Sequence, residues 1–107
     1  MLGNLAEARR LNEESLKIFA EVGDQRAMGT TLGNLAILIY EQGDLEGARK
    51  KFDEALEIKR KIGYQRGIAY DLSGLSEILR AEGSLVRRSP KEARRGLGYS
   101  GSARRKT

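Results

Sequence analysis

A repeat of 40 residues constrains the fold of this 107-residue chain more than any other feature of its sequence. Compared with itself at an offset of 40, the sequence contains twelve identical pairs within residues 3–75. A unit that recurs at such a period is typical of proteins that stack copies of one supersecondary element, each copy burying its apolar face against its neighbours. The identical pairs are Gly3/Gly43, Leu5/Leu45, Ala8/Ala48, Arg9/Arg49, Glu14/Glu54, Leu16/Leu56, Ile18/Ile58, Gly23/Gly63, Gln25/Gln65, Arg26/Arg66, Leu32/Leu72 and Leu35/Leu75.

Between the repeated glycines, apolar residues follow the spacing of an amphipathic helix. Ala48 and Phe52 fall on one face of such a helix, whereas Glu and Lys occupy the other face. Gly43 can adopt the left-handed conformation that ends a helix, and Asp24 and Asp44, each after a repeated glycine, can cap the next helix. The chain has a single proline, and no alternating apolar run indicates a strand. The pattern predicts antiparallel helices over about 4–21, 25–41, 45–61 and 65–81, joined by turns at the glycines.

The positive charge of the chain is concentrated near its end. The net charge is +5 overall, but residues 1–83 carry −2 and residues 84–107 carry +7. Gly83 begins a third copy of the glycine corner, yet Arg88 and Arg95 then occupy positions where the repeat needs small or aromatic residues, and Pro90 would interrupt the next helix. We therefore expect a repeat domain over 1–83 and a basic, mostly disordered tail over 84–107, with one short helix over about 90–95.

The composition removes several classes of function. The chain contains no cysteine and no histidine, so disulfides, Cys/His zinc sites and histidine acid–base chemistry are excluded. We find no nucleophile–base pair and no phosphate-binding loop, and expect neither catalysis nor a cofactor nor a metal. No uncharged apolar stretch approaches the roughly 20 residues of a membrane helix, and no leader pattern is visible. The expected location is cytoplasmic.

The glycine corner and its flanks resemble the tetratricopeptide repeat signature, W-x2-L-G-x2-Y followed by A-x3-F. Small residues at Ala36, Ala48 and Ala55 let helix backbones approach closely. The family's aromatic positions are aliphatic at Leu32 and Ile39. The matching segments are Leu32-x2-Leu35-Ala36-x2-Ile39, Gly43-Asp44 and Ala48-x3-Phe52-x2-Ala55.

The 40-residue period exceeds the usual 34 of this family. It is similar to the longer repeats of kinesin light chains, Leu-Gly-Asn-repeat adaptors and bacterial regulator arrays. The resemblance implies an all-α fold in which antiparallel helix-turn-helix repeats stack as a short right-handed α-solenoid of about two helix pairs. Because the chain starts in mid-repeat, we expect either a fragment of a longer array or self-association that covers the open ends.

The resemblance also implies a binding site, because the first helix of each pair in this family lines a concave groove that holds a peptide or a partner helix. Asn34 is the favoured contact, since its amide offers donors and an acceptor to an extended main chain. A solvated helix face is the alternative for the charged members. The carboxylate clamp of chaperone-binding relatives is disfavoured, because Gly33 and Ser73 occupy two of its positions. The candidate groove residues are Thr30, Asn34, Ile37 and Glu41 on one helix and Tyr70, Gly74, Glu77 and Arg80 on the next.

The expected function is therefore a protein–protein interaction module whose groove binds a peptide or helix of an unidentified protein. One alternative is structural self-association through the open solenoid ends, which would make the chain a homo-oligomer. A second alternative is non-specific nucleic-acid binding by the basic tail through phosphate contacts. This is disfavoured, because the tail carries one aromatic residue and no motif that reads bases. We expect no membrane partner.

Overall fold

The computed structural model describes residues 2–87, and the side chains of residues 3–83. This part of the chain forms four α-helices and no strand. The prediction of an all-α helical repeat is confirmed, and the bounds of α2 agree with the predicted 25–41. The helices are α1 (Leu2–Val22), α2 (Gln25–Glu41), α3 (Leu45–Ile62) and α4 (Gln65–Arg87).

The turns between the helices are made by the repeated glycines. Gly23, Gly43 and Gly63 have φ angles of 77°, 95° and 73°, in the left-handed region that a residue without a Cβ enters at little cost. The Asp24 carboxylate accepts a hydrogen bond from the Ala27 amide at 3.1 Å and starts α2. Asp44 accepts from the Gly47 amide at 2.9 Å and starts α3 in the same way. The two predicted aspartate caps and the glycine turns are confirmed.

Two of the repeated glycines do not form turns, and here the sequence prediction is wrong. Gly3 lies inside α1, and Gly83 lies inside α4, which continues to Arg87 instead of ending near residue 81. A glycine permits the left-handed conformation without requiring it, and each further helical residue gains a backbone hydrogen bond against a glycine cost of about 0.5–1 kcal/mol. Residues 84–87, assigned to the tail, are therefore helical. The short helix predicted over 90–95 and the disorder predicted for the rest of the tail lie outside the described residues.

The core lies where α2, α3 and α4 meet. Ala36, Ala48 and Ala55 are fully buried, so the helices approach closely at these small side chains, as the pattern predicted. The ring of Phe52 and the side chain of Ile78 fill the remaining space. Helix α2 packs against α1, α3 and α4, whereas α3 packs against α2 and α4.

This arrangement leaves α2 and α4 side by side with α3 behind them. Successive helices are antiparallel, so α2 and α4 run in the same direction. Leu32 and Ile39 of α2 are buried, but the equivalent Leu72 and Leu79 of α4 are 46% and 57% exposed. The physical reason is that α2 has a helix packed on each side, whereas the described residues place no helix on the far side of α4.

Candidate protein-binding groove

A groove runs between α2 and α4, and α3 forms its floor. It consists of three adjoining hollows with volumes of about 370, 220 and 280 Å³. The first two hollows share Ile37, Phe52 and Gly74, and the last two share Tyr40 and Glu77. The hollows therefore form one continuous channel along the parallel pair of helices.

The structure places all eight predicted groove residues on this channel. Their spacing of three or four residues keeps them on one face of each helix. The first hollow is lined by Thr30, Asn34, Ile37, Tyr70 and Gly74. Glu41 and Glu77 line the second hollow, and Arg80 lines the third. Whether these residues bind a partner stays a prediction.

The middle of the groove is apolar and uncharged at its surface. Ile37 is 48% exposed and Tyr70 is 71% exposed, facing each other across the channel. Between them the half-buried Gly74 lies directly over the ring of Phe52. A Cβ at Gly74 would lie 2.8 Å from Phe52 Cε2, closer than carbon atoms approach, so the missing side chain is what lets α4 lie against the ring.

A buried ion pair beneath the groove was not predicted from the sequence. Lys59 Nζ lies 3.0 Å from Asp71 Oδ1, to which it donates a hydrogen bond, and 2.9 Å from Oδ2. The two side chains are only 5% and 3% exposed. The pair links the end of α3 to the second turn of α4 and lines the first hollow.

Glycines on α2 make room for the lysine, and they are the signal that could have revealed it. A Cβ at Gly29 would lie 3.1 Å from Lys59 Cγ, and a Cβ at Gly33 would lie 3.0 Å from Asp71 Oδ1. Two glycines one turn apart inside a helix cost about 1 kcal/mol each relative to alanine, which calls for a packing reason. Lys59 also falls on the apolar stripe that contains Phe52, at a spacing of two helical turns.

Burial of Asp71 raises the pKa of its carboxyl above the ordinary value, and the hydrogen bond and charge of Lys59 act in the opposite direction. Its net pKa is raised, so desolvation outweighs the pairing. A buried carboxylate in this position is tolerated because the lysine is there.

Positively charged groups gather at the end of the groove where α2 and α4 begin. The Arg26 guanidinium carbon lies 4.2 Å from the centre of the Tyr64 ring, a cation–π contact between the starts of the two helices. Through hydrogen bonding and its charge, Arg26 lowers the pKa of the Tyr64 hydroxyl, and the nearby charges of Arg66 and Lys59 act in the same direction. Tyr64 lines the first hollow, which brings this cluster to the groove.

At the opposite end of the groove the charges are mainly acidic. Glu41 and Glu77 line the second hollow, one from each helix. Glu77 is paired with Arg80, three residues along α4. No ion pair between described residues involves Glu41.

Within residues 2–87 there is no group of three or more carboxylates placed to hold a metal ion. None of the four helices, over the portion described, is both long enough and apolar enough to cross a membrane. The groove is therefore the feature on which a functional interpretation can be built.

Comparison with protein families gives one match. A family model described as tetratricopeptide repeat matches residues 1–61. The matched segment contains α1, α2 and nearly all of α3, and hence one wall of the groove and its floor. A comparison with curated proteins found no match, and neither did a comparison with solved structures.

Proposed function

The chain belongs to the tetratricopeptide repeat family, and on that premise we propose that the α2–α4 groove binds a peptide or helical segment of a partner protein. Tetratricopeptide repeats generally mediate protein–protein interactions, and the family is typically a non-enzymatic scaffold. The finer proposal concerns which surface of this chain makes the contact.

One observation carries this proposal: the groove exposes large apolar side chains that take no part in the core. Ile37 and Tyr70 face each other over the floor formed by Phe52, and neither belongs to the buried core cluster. Burying apolar surface is worth about 25 cal/mol per Å², and tyrosine is among the residues that most often dominate binding energy. A partner side chain lying between these two would remove both from water.

Asn34 supplies the polar complement. It is exposed on the wall of the same hollow, within one helical turn of Ile37. Its carboxamide can donate to a carbonyl and accept from an amide of an extended segment, which fixes the segment's register without requiring a particular side chain. We propose that Asn34 bonds the partner's main chain while Ile37 and Tyr70 contact a side chain.

The test is selection of ligands from a random-peptide phage library on the full chain, followed by binding to variants. Tyr70→Ser and Ile37→Ser change exposed side chains, so the fold should survive, and each should weaken groove binding by about tenfold or more. Leu72→Ser is the matched control, since Leu72 is 46% exposed on α4 and lines none of the three hollows. Peptides whose binding responds to Leu72→Ser and not to Tyr70→Ser would refute the proposal.

Self-association is a second candidate, favoured by a separate set of exposed apolar residues. Leu72 and Leu79 form a stripe on α4 that corresponds by the repeat to the stripe of α2 covered by α3. On α1, Leu11 is 50% exposed and Ile18 is 53% exposed. If these surfaces stack, light scattering will show a mass that rises with concentration, and Leu79→Glu will abolish the rise. A concentration-independent monomer would exclude this candidate.

A further inference from the structure

We infer that the segment bound in the groove is charge-segregated: acidic at the end beside Arg26 and Arg66, apolar in the middle, and basic at the end beside Glu41 and Glu77. This inference rests on the proposed function of the groove and adds the chemistry and the orientation of the partner. It comes from the positions of the charges along the two helices.

The basic end is built from both walls. The Arg26 guanidinium on α2 lies over the Tyr64 ring, 4.2 Å from its centre, and Arg66 is the second residue of α4, two positions after Tyr64. Tyr64 lines the groove. No ion pair between described residues involves either arginine. Asp24 is the nearby acid on α2, and its carboxylate accepts from the Ala27 amide at 3.1 Å. An excess of positive charge therefore remains at this end.

The acidic end is also built from both walls. Glu41 ends α2, and Glu77 lies opposite it on α4. Of the charged residues that line this end, Arg80 is paired with Glu77, and Glu41 leaves the lining with a net negative charge. The two ends of the channel thus carry opposite signs.

The parallel helices add to the same polarity. Both amino termini lie at the basic end, and α2 ends at the acidic end with Glu41, whereas α4 continues past Glu77 to Arg87; the two macrodipoles point in one direction. In most adjacent helix pairs the dipoles oppose each other because the helices are antiparallel. Here the fold itself makes the two ends of the groove unequal.

The space between the ends carries no exposed charge. Thr30, Asn34, Ile37, Tyr70 and Gly74 are neutral, and the only ionised pair in this stretch, Lys59 with Asp71, is buried and self-compensated. A charged partner side chain placed here would lose hydration without gaining an opposite charge. The middle of the partner segment is therefore apolar or neutral.

The length of the segment follows from the helix rise. Arg26 and Glu41 are separated by almost the whole of α2, about 22 Å at 1.5 Å per residue. An extended peptide covers that distance with about seven residues. In a segment of this length with opposite charges at its two ends, both ends would be attracted by the charges of the groove in one orientation, and both would be repelled in the other.

The experiment uses the full chain and the phage-selected peptides that bind wild type but not Tyr70→Ser. We expect these peptides to carry their acidic and basic residues in opposite halves. A nitroxide attached at the acidic end of such a peptide should broaden the amide signals of Thr30 and Gly67 and spare those of Glu41 and Glu77. Arg66→Glu should weaken binding by about 3- to 10-fold at low salt, an effect that shrinks as salt is raised. Arg60→Glu, the same charge change on α3, which forms neither wall of the groove, should leave affinity unchanged.

The outcomes separate the two proposals. If no selected peptide depends on Tyr70, the proposed function fails and the inference fails with it. If Tyr70-dependent peptides have intermixed charges, or the nitroxide broadens the Glu41 end, the inference alone is overturned. Equal losses of affinity for Arg66→Glu and Arg60→Glu would show that the effect depends on net charge alone and would also overturn the inference.

Discussion

Replacing Lys59 by methionine removes the positive charge from the buried pair and shortens the unbranched side chain by only one heavy atom. Lys59 Nζ lies 3.0 Å from Asp71 Oδ1, so at an effective dielectric constant of about 20 the attraction is about 5 kcal/mol, offset by the cost of burying both charges. Lys59→Met leaves Asp71 buried without a partner, which destabilises a protein by about 3–5 kcal/mol. A repeat domain of this size is stable by only about 4–13 kcal/mol, so the loss should be large.

The measurement is the free energy of unfolding from urea titration followed by circular dichroism at neutral pH. Lys59→Met combined with Asp71→Val removes both charges, and we expect it to lie within about 1 kcal/mol of wild type. The double-mutant cycle then gives the coupling between the two residues directly. A Lys59→Met variant as stable as wild type would refute the claim that the lysine compensates a buried carboxylate.

The pH dependence of the same variant checks the electrostatic origin of the effect. Burial already raises the pKa of Asp71, and loss of Lys59 raises it further. Because the folded state of the variant binds this proton more tightly than the unfolded state, its stability falls as pH rises through the window between the two pKa values. The deficit of Lys59→Met should therefore shrink on acidification below the raised pKa. A deficit that does not change with pH would point to lost packing instead.

Further substitutions test the packing and the turns. Ala48→Arg should unfold the domain, because it places a long charged side chain into a fully buried helix contact, and loss of helicity by circular dichroism checks it. Gly63→Ala should cost about 1 kcal/mol in unfolding free energy because its φ is 73°, whereas Gly3→Ala, in a helix with open space around it, should cost nothing. Gly74→Ala should lower the melting temperature, because the added methyl group overlaps the Phe52 ring. Phe52→Leu in the same chain should recover part of this loss. An unchanged melting temperature in Gly74→Ala would mean that the close contact is absent.

The helices could be predicted from the sequence because a glycine ends one helix and, at Asp24 and Asp44, an aspartate caps the next. Helix α2 was located to the residue, since a glycine and a capping aspartate precede it and another such pair follows it. The end of α4 could not be predicted in this way, because Gly83 is compatible with a helix as well as with a turn. A permissive residue identifies a turn only when the chain beyond it folds back, and α4 instead continues to Arg87.

The face of the groove could be predicted, but its floor could not. Spacing of three or four residues suffices to place Asn34, Ile37 and Gly74 on one surface. Hydrophobic periodicity does not predict the Lys59–Asp71 pair, because a lysine on the apolar stripe counts only as an interruption of the pattern. Only the glycines opposite it, at positions with no turn to explain them, carry information about a buried charge.

The repeat itself indicates which positions are free to specify a partner. Positions identical between the two copies include the turn glycines and core residues such as Leu35. None of the eight groove residues has an identical counterpart 40 residues away; Asn34 pairs with Gly74 and Ile37 pairs with Glu77. Packing requires the same residue types in each unit, whereas the groove faces water and escapes that requirement. The two walls therefore present different chemistry to one segment. Although the structure is built from copies of one unit, its groove is asymmetric and can distinguish the two ends of the segment that it binds.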